Sequence, residues 1–330
     1  MKKIAIIGIV GRTGAMFARE LKGNNSVFGV GREKDIEEVE NGNLVLRLNR
    51  ETLEVFKAEI IRDSEFAKIA TPDAIFLCTK NPVNSVVKSY YQILKEKGGE
   101  MPTLFLSQNG VSAGEEAEEA LSEVFGKDAE KIKVVRISLF NSVEREVVDG
   151  KVYLSYSLPI RLSFGPVSGS FKEGEIMSVF EKTGIEAEEV SLENVKNMEF
   201  SKLFLNLIGM ASASHEVPLQ QGFEDSKIFK EEIGMLREYI KAVHATGGKF
   251  LNFAHYPVKL YASLFNSLPT MFLSIFRSQI GKFIGKGRRG KKKDLDEISY
   301  YNGAVIDLGK KTGIGTIINQ KIVERVINKK

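Results

Sequence analysis

The stretch from residue 2 to residue 14 constrains this chain most. Residues 2–8 form an apolar, β-rich run that ends at a glycine, the pattern of a short strand buried on both faces. Gly8-Ile9-Val10-Gly11-Arg12-Thr13-Gly14 follows, and then Met16, Phe17 and Leu21 recur at helical spacing. The alternation continues downstream. Residues 26–30, 74–79 and 103–107 read as strands, and 83–97 and 115–125 as helices. Strands alternating with helices of roughly 10–15 residues predict βαβ units and a parallel sheet.

From residue 133 to 164 the text is β-rich, with turns at Asp149-Gly150 and Gly165-Pro166. A helix near 174–183 and a strand near 186–190 complete the first predicted domain. After Ser191 the β signals fade, and helices are expected over 192–213, 225–246, 256–284, 294–312 and 319–328. The expectation is an α/β fold: a doubly wound N-terminal domain over 1–192 and an all-helical C-terminal domain over 193–330.

A chain of 330 residues suits two domains at roughly 100–200 residues each. Its 43% hydrophobic and 27% charged content excludes a wholly disordered or collagen-like chain. The net charge of +4 gives no general polyanion-binding character, so nucleic acid is not an expected partner. Six cations crowd into 286–293, and without them the balance would be −2. The single cysteine, Cys78, and the scattered His215, His244 and His255 leave no disulfide framework and no metal cluster to expect. The N-terminus starts like a signal peptide, but Gly11-Arg12 breaks the apolar run and no cleavage site follows. No run reaches the ~18 apolar residues of a spanning helix. The Phe- and Leu-rich stretch 260–284, followed by basic residues, reads as a buried helix and a solvated loop rather than a membrane attachment. A cytoplasmic location is expected.

Glycines between a first strand and first helix let the backbone turn tightly and approach a pyrophosphate, which rests on the free N–H groups of the helix start. Gly8, Gly11 and Gly14 supply that pattern with one residue more than the usual G-x-G-x-x-G; a tight packing turn is the alternative. At the end of the second strand Gly29-Val30-Gly31-Arg32 places arginine where NAD-binding folds carry an acidic residue. A guanidinium suits a 2′-phosphate, so NADP is expected over NAD, with Arg32 and Arg12 as contacts. Glu33, next along, opposes that preference.

Residues 198–210 are hydrophobic almost all round, yet Lys202 and Asn206 share one face. Lysine is rarely buried without a partner, so this stripe should face a wet cleft. A partly desolvated ammonium can there donate a proton to a carbonyl oxygen near neutral pH; a snorkelling lysine at a domain edge is the alternative. Glu297, in Asp294-Leu295-Asp296-Glu297, reads first as part of a helix-start capping box. Lys80 follows a strand, at the sheet end where such folds bind ligands, and Asn109-Gly110 follows another. Cys78 reads as a core residue. No paired Ser/His/Asp signature supports hydrolysis.

Together these residues resemble the ketopantoate reductase (2-dehydropantoate 2-reductase) family. The likeness rests on the glycine loop, Thr79-Lys80, Ser107-Gln108-Asn109-Gly110, Lys202-Leu203-Phe204-Leu205-Asn206, Glu297-Ile298-Ser299-Tyr300-Tyr301-Asn302-Gly303 and Thr312-Gly313-Ile314-Gly315-Thr316, in that order. It implies a Rossmann-type N-terminal domain, a helical C-terminal domain, a cleft site between them and NADPH-dependent reduction of a 2-keto acid. It further implies Lys202 as general acid and Glu297 as the group that holds the substrate hydroxyl and orients that lysine. Lys80 and Asn109 would lie beside nicotinamide and substrate, Asn206 would bind substrate, and Thr270 would meet the substrate carboxylate. Departures fall on the substrate side: Met210 where a second asparagine is common, Ile317 where proline is common, and a lysine-rich approach to Glu297.

The leading expectation is therefore reduction of ketopantoate to pantoate, for pantothenate and coenzyme A. The alternatives are a reductase of a bulkier or anionic keto acid, and a non-catalytic NADP-binding or membrane-surface protein. The partner expected is a small keto acid, with a homodimer left open.

Overall fold

The computed structural model describes residues 1–37, 44–49, 51–57, 59–149, 151–285 and 293–328. The sequence readings at Gly150 and over 286–292 lie outside these residues. The chain divides into two compact units, Met1–Gln108 with Ser112–Val195, and Asn109–Val111 with Lys196–Lys330.

The first unit is built on an eight-stranded sheet. Its strands are β1 (Lys3–Ile7), β2 (Ser26–Gly31), β5 (Glu59–Arg62), β6 (Ala74–Leu77), β7 (Thr103–Leu106), β8 (Val134–Leu139), β11 (Ile160–Ser168) and β12 (Ile185–Glu189), in the order β12-β11-β8-β7-β6-β1-β2-β5. All neighbours are parallel except β8 and β11, which run antiparallel. Order reverses between β1 and β6, so their carboxyl ends open the crevice where doubly wound sheets bind ligands. The helices of this unit are α1 (Arg12–Glu20), α2 (Glu33–Glu37), α3 (Asn84–Lys97) and α4 (Ala113–Phe125).

Period-two alternation splits the sheet between two cores. Ile4, Ile6, Phe76 and Phe105 meet Met16 and Phe17 of α1 on one face. Ala5, Ile7, Ile75 and Leu77 meet Val87 and Leu94 of α3 and Leu121 of α4 on the other. Phe76 and Phe105 stack at 4.4 Å between ring centroids, a pairing that contributes about 0.5–1.5 kcal/mol beyond burial.

The chain between β2 and β6, left unread in the sequence, holds more strands. β3 (Leu44–Leu48) and β4 (Thr52–Val55) join β9 (Glu144–Val148) and β10 (Lys151–Tyr156) in a second sheet of order β4-β3-β10-β9. Its Leu44, Leu46, Leu48, Val152, Leu154 and Tyr156 complete the core on the α1 face. The helix expected near 174–183 is only a 3₁₀ turn, Met177–Val179. Left-handed backbone at Gly174 (φ 70°) and Lys182 (φ 55°) bounds that short segment.

The second unit is helical: α5 (Val195–Leu207, its first residue closing the first unit), α6 (Met210–Ser214), α7 (Leu219–Glu224), α8 (Ser226–Ala245), α9 (Val258–Ser267), α10 (Thr270–Ile275), α11 (Arg277–Gly285), α12 (Asn302–Thr312) and α13 (Ile317–Ile327). Three expected helices are corrected. The one over 192–213 breaks at Gly209, whose φ of 91° no helix accommodates. The one over 256–284 becomes α9, α10 and α11, with Pro269 unable to donate into a continuing ladder. The one over 294–312 begins as an α-helix only at Asn302. Nor is 260–284 a buried helix: Met271, Phe272, Ile275 and Phe283 are exposed.

Candidate functional site

In the first unit the site grows from β1. Gly8 leaves the strand at φ 84°, and a Cβ there would press on the backbone of Cys78 and Thr79 after β6 at 3.2 Å. A Cβ on Gly14 would lie 2.2 Å from the Gly8 carbonyl oxygen, so α1 packs onto the loop only with glycine at this position. Gly11 is the N-cap of α1 and offers no capping side chain, which leaves first-turn N–H groups aimed where an anion is stabilised. The buried Thr79 Oγ1, at the end of β6, has no hydrogen-bond partner. This glycine cradle and orphaned hydroxyl fit a dinucleotide pyrophosphate and its attached ribose.

The end of β2 bears on the choice of cofactor. Arg32 is exposed, and its Nε donates to Asp35 Oδ2 at 2.5 Å. Glu33, the residue that would favour a bare ribose, lies 3.2 Å from Arg62 Nε at the end of β5. The acid is thus matched by a second arginine, and the corner holds two ion pairs, Arg32 with Asp35 and Arg62 with Glu33. Arg12 opens α1, and Lys80 follows β6; both are exposed. Cys78 packs on the core as expected, and burial pushes its thiol pKa up to about 12. Gln108 closes this end of the sheet. Its Nε2 donates to Leu77 O at 2.9 Å and Thr79 O at 3.1 Å, and the buried Arg136 donates to its carbonyl.

In the second unit, α5 carries Lys202 and Asn206 one turn apart on one face, both half-buried. Asn206 Nδ2 donates to Asn109 Oδ1 at 3.1 Å, and Asn109 Nδ2 donates to Glu297 Oε2 at 2.9 Å. Tyr301 OH donates to the same carboxylate oxygen at 3.1 Å. The structure therefore brings together Asn109, Asn206 and Glu297, which are far apart in sequence. Gly110 helps: at φ 93° it sits so close to Tyr300 that a Cβ would meet the Tyr300 carbonyl oxygen at 3.2 Å.

The capping-box reading of Glu297 is corrected. The carboxylate serves Asn109 and Tyr301, no α-helix begins beside it, and Asp294 Oδ1 closes a local turn to Asp296 N instead. Thr270 stands outside this hydrogen-bonded set. Its hydroxyl accepts from Arg237 Nη1 at 2.7 Å, while Arg237 Nε donates to Phe265 O at 2.8 Å. Met210 is fully buried after the break at Gly209, so it does not lie on the Lys202–Asn206 face.

Sequence reasoning missed the residues that hold the break after α5. Lys293 Nζ donates to Asn206 O and also reaches Ile208 O at 3.4 Å. An ammonium is favourable at that helix carboxyl end. The buried Glu232 of α8 accepts from Gly209 N and, at 3.3 Å, from Ser212 N. Buried Asn302 donates to buried Asn319 Oδ1 at 2.9 Å, fixing the start of α12 just after the Glu297 turn. Acidic or amide residues inside apolar helices were the available signal.

The first unit has the architecture of a Rossmann-type dinucleotide-binding domain, followed by a helical unit whose polar side chains converge on Asn109. Residues 4–160, a little under half of the chain, match the family described as ketopantoate reductase PanE/ApbA. No curated protein gave a significant match. Solved structures with similar folds include D-mandelate dehydrogenase with NADH and anilino(oxo)acetate (17% identity, TM-score 0.69, covering 99% of this chain and 97% of that one). A PanE/ApbA family ketopantoate reductase from Ralstonia eutropha JMP134 is 19% identical (TM-score 0.67, covering 97% and 95%). The 2-dehydropantoate 2-reductase from Geobacter metallireducens GS-15 is 18% identical (TM-score 0.68, covering 99% and 100%). At these identities the likeness is one of fold. No helix among the described residues is long and apolar enough to cross a membrane.

Proposed function

We propose that this protein is an NADPH-dependent reductase of 2-keto acids, with ketopantoate the first substrate to test. The observation that supports this most is the line Asn206–Asn109–Glu297–Tyr301 beside Lys202 on α5. Such a line presents donors and an acceptor of fixed orientation, which positioning a small hydroxy or keto acid requires.

When bound, the dihydronicotinamide supplies hydride to the keto carbon. This chain's own part is to hold the acid and deliver a proton. Lys202 Nζ donates the proton to the keto oxygen. Glu297, oriented by Asn109 and Tyr301, accepts from the substrate hydroxyl and steadies the lysine. Asn206 and Asn109 bind the substrate's polar edge, and Thr270, anchored by Arg237, meets its carboxylate. Gly8, Gly11 and Gly14 receive the pyrophosphate, Arg12 and Arg32 the adenosine phosphate, and Lys80 the nicotinamide side.

A second reading, a bulkier keto acid, draws on the fold likeness to a D-mandelate dehydrogenase solved with anilino(oxo)acetate. Purified protein with NADPH, screened against ketopantoate and aryl and branched 2-keto acids, tests both. The keto acid that gives the highest kcat/KM names the substrate. NADPH binding without oxidation by any of them would overturn the assignment as a reductase.

A further inference from the structure

α5 carries two charged side chains, Lys196 and Glu199, that the proposed reaction does not use. Lys196 stands in the first turn of the helix, where an ammonium meets the positive end of the helix dipole. A helix gains nothing from a cation there, and Lys196 turns instead to chain outside α5. Its Nζ donates to Val111 O at 2.5 Å and lies 3.4 Å from Glu199 Oε2, one turn on. Only 5% of the Glu199 side chain is exposed, and an acid buried to that degree needs a cation beside it.

The chain that Lys196 meets is the segment carrying Asn109. Residues 109–111 belong to the helical unit although 108 and 112 do not, and none of the three lies in a helix or strand. Two tethers join this segment to α5. Asn109 accepts from Asn206 near the helix end, and Val111 accepts from Lys196 at its start. Residues 196 and 206 are about 15 Å apart along a helix, and Lys202 lies between them. Freed at Val111, the segment would lose its backbone tether to the start of α5, and Asn109 would donate to Glu297 from a looser chain.

We infer that Lys196, backed by Glu199, is a positioning residue: it pins residues 109–111 along α5 and so sets the Asn109 amide between Asn206 and Glu297. The effect on turnover rests on the reductase reading, whereas the tether does not. Lys196→Met removes the donor and keeps the apolar stem, and Lys196→Arg restores a cation; circular dichroism checks the folding of both. Hydrogen–deuterium exchange on the full chain without cofactor reads the tether. Amides of 109–111 should exchange about ten-fold faster in Lys196→Met, as for loss of a charged hydrogen bond, with α8 unchanged. Lys196→Arg should return them to near the wild-type rate, and Glu199→Gln should speed them by less. With NADPH and the best keto acid, kcat/KM should fall about ten-fold in Lys196→Met, mainly through KM, and recover in Lys196→Arg. Unchanged exchange at 109–111, an arginine variant no better than the methionine one, or faster exchange with wild-type kinetics would each overturn the proposal. If the wild type reduces no keto acid, the reductase reading fails on its own screen, and the exchange result still decides the tether.

Discussion

Asn109 donates to Glu297 at 2.9 Å across 188 residues of chain, and together with Tyr301, which donates to the same oxygen at 3.1 Å, it fixes the direction of the candidate acceptor. Asn109→Asp should set one carboxylate against another. Two like charges at this spacing repel, so the acceptor should turn away from its present direction and KM for the keto acid should rise. Steady-state kinetics on both proteins measures this, and an unchanged KM would mean that the Asn109–Glu297 contact takes no part.

Glu297→Ala should raise KM for the keto acid with little change in Tm, because its carboxylate caps no helix. Glu232→Ala should do the reverse. Leaving the Gly209 and Ser212 N–H groups buried without their acceptor costs about 1–3 kcal/mol. Thermal melts and steady-state kinetics on both variants separate the two roles.

Arg32→Ser should lower kcat/KM for NADPH about 10- to 150-fold, as expected for loss of charged hydrogen bonds, and leave NADH nearly unchanged. Arg62→Ala, which releases Glu33, should shift the same ratio in the same direction by less. Cofactor titrations decide it, and an unchanged ratio removes Arg32 from the phosphate site.

Glu231 on α8 ties down the C-terminal helix. Burial alone would raise its pKa, but Arg325 of α13 and His215 outweigh this and hold the carboxyl below its ordinary value. The stability it contributes is present above the unfolded value, about pH 4.3, and is lost as pH falls through the folded one. Arg325→Met should flatten the decline of Tm in that acid window.

What the sequence revealed follows from how each element is buried. β1, β6 and β7 lie in the middle of the sheet and read as continuous apolar runs. β4 and β5 lie at edges and carry Glu, Arg and Thr on open faces, so their pattern resembles loop. Lys202 and Asn206 stood out because an apolar helix has no structural need of them. Lys293 looked like one more solvated cation, since its role depends on carbonyls that only the break at Gly209 exposes. The fate of Glu297 turned on Asn109, which no local pattern around either residue could indicate. Thr270 was singled out without its partner, because Arg237 reaches it from another helix.

The most direct test is turnover of Lys202→Ala with NADPH and the best keto acid from the screen. Loss of a general acid should lower kcat by about 10²–10⁴, with NADPH affinity near that of the wild type. A variant that turns over within a few-fold of the wild type would contradict the account, since the keto oxygen would then be protonated by something other than this ammonium.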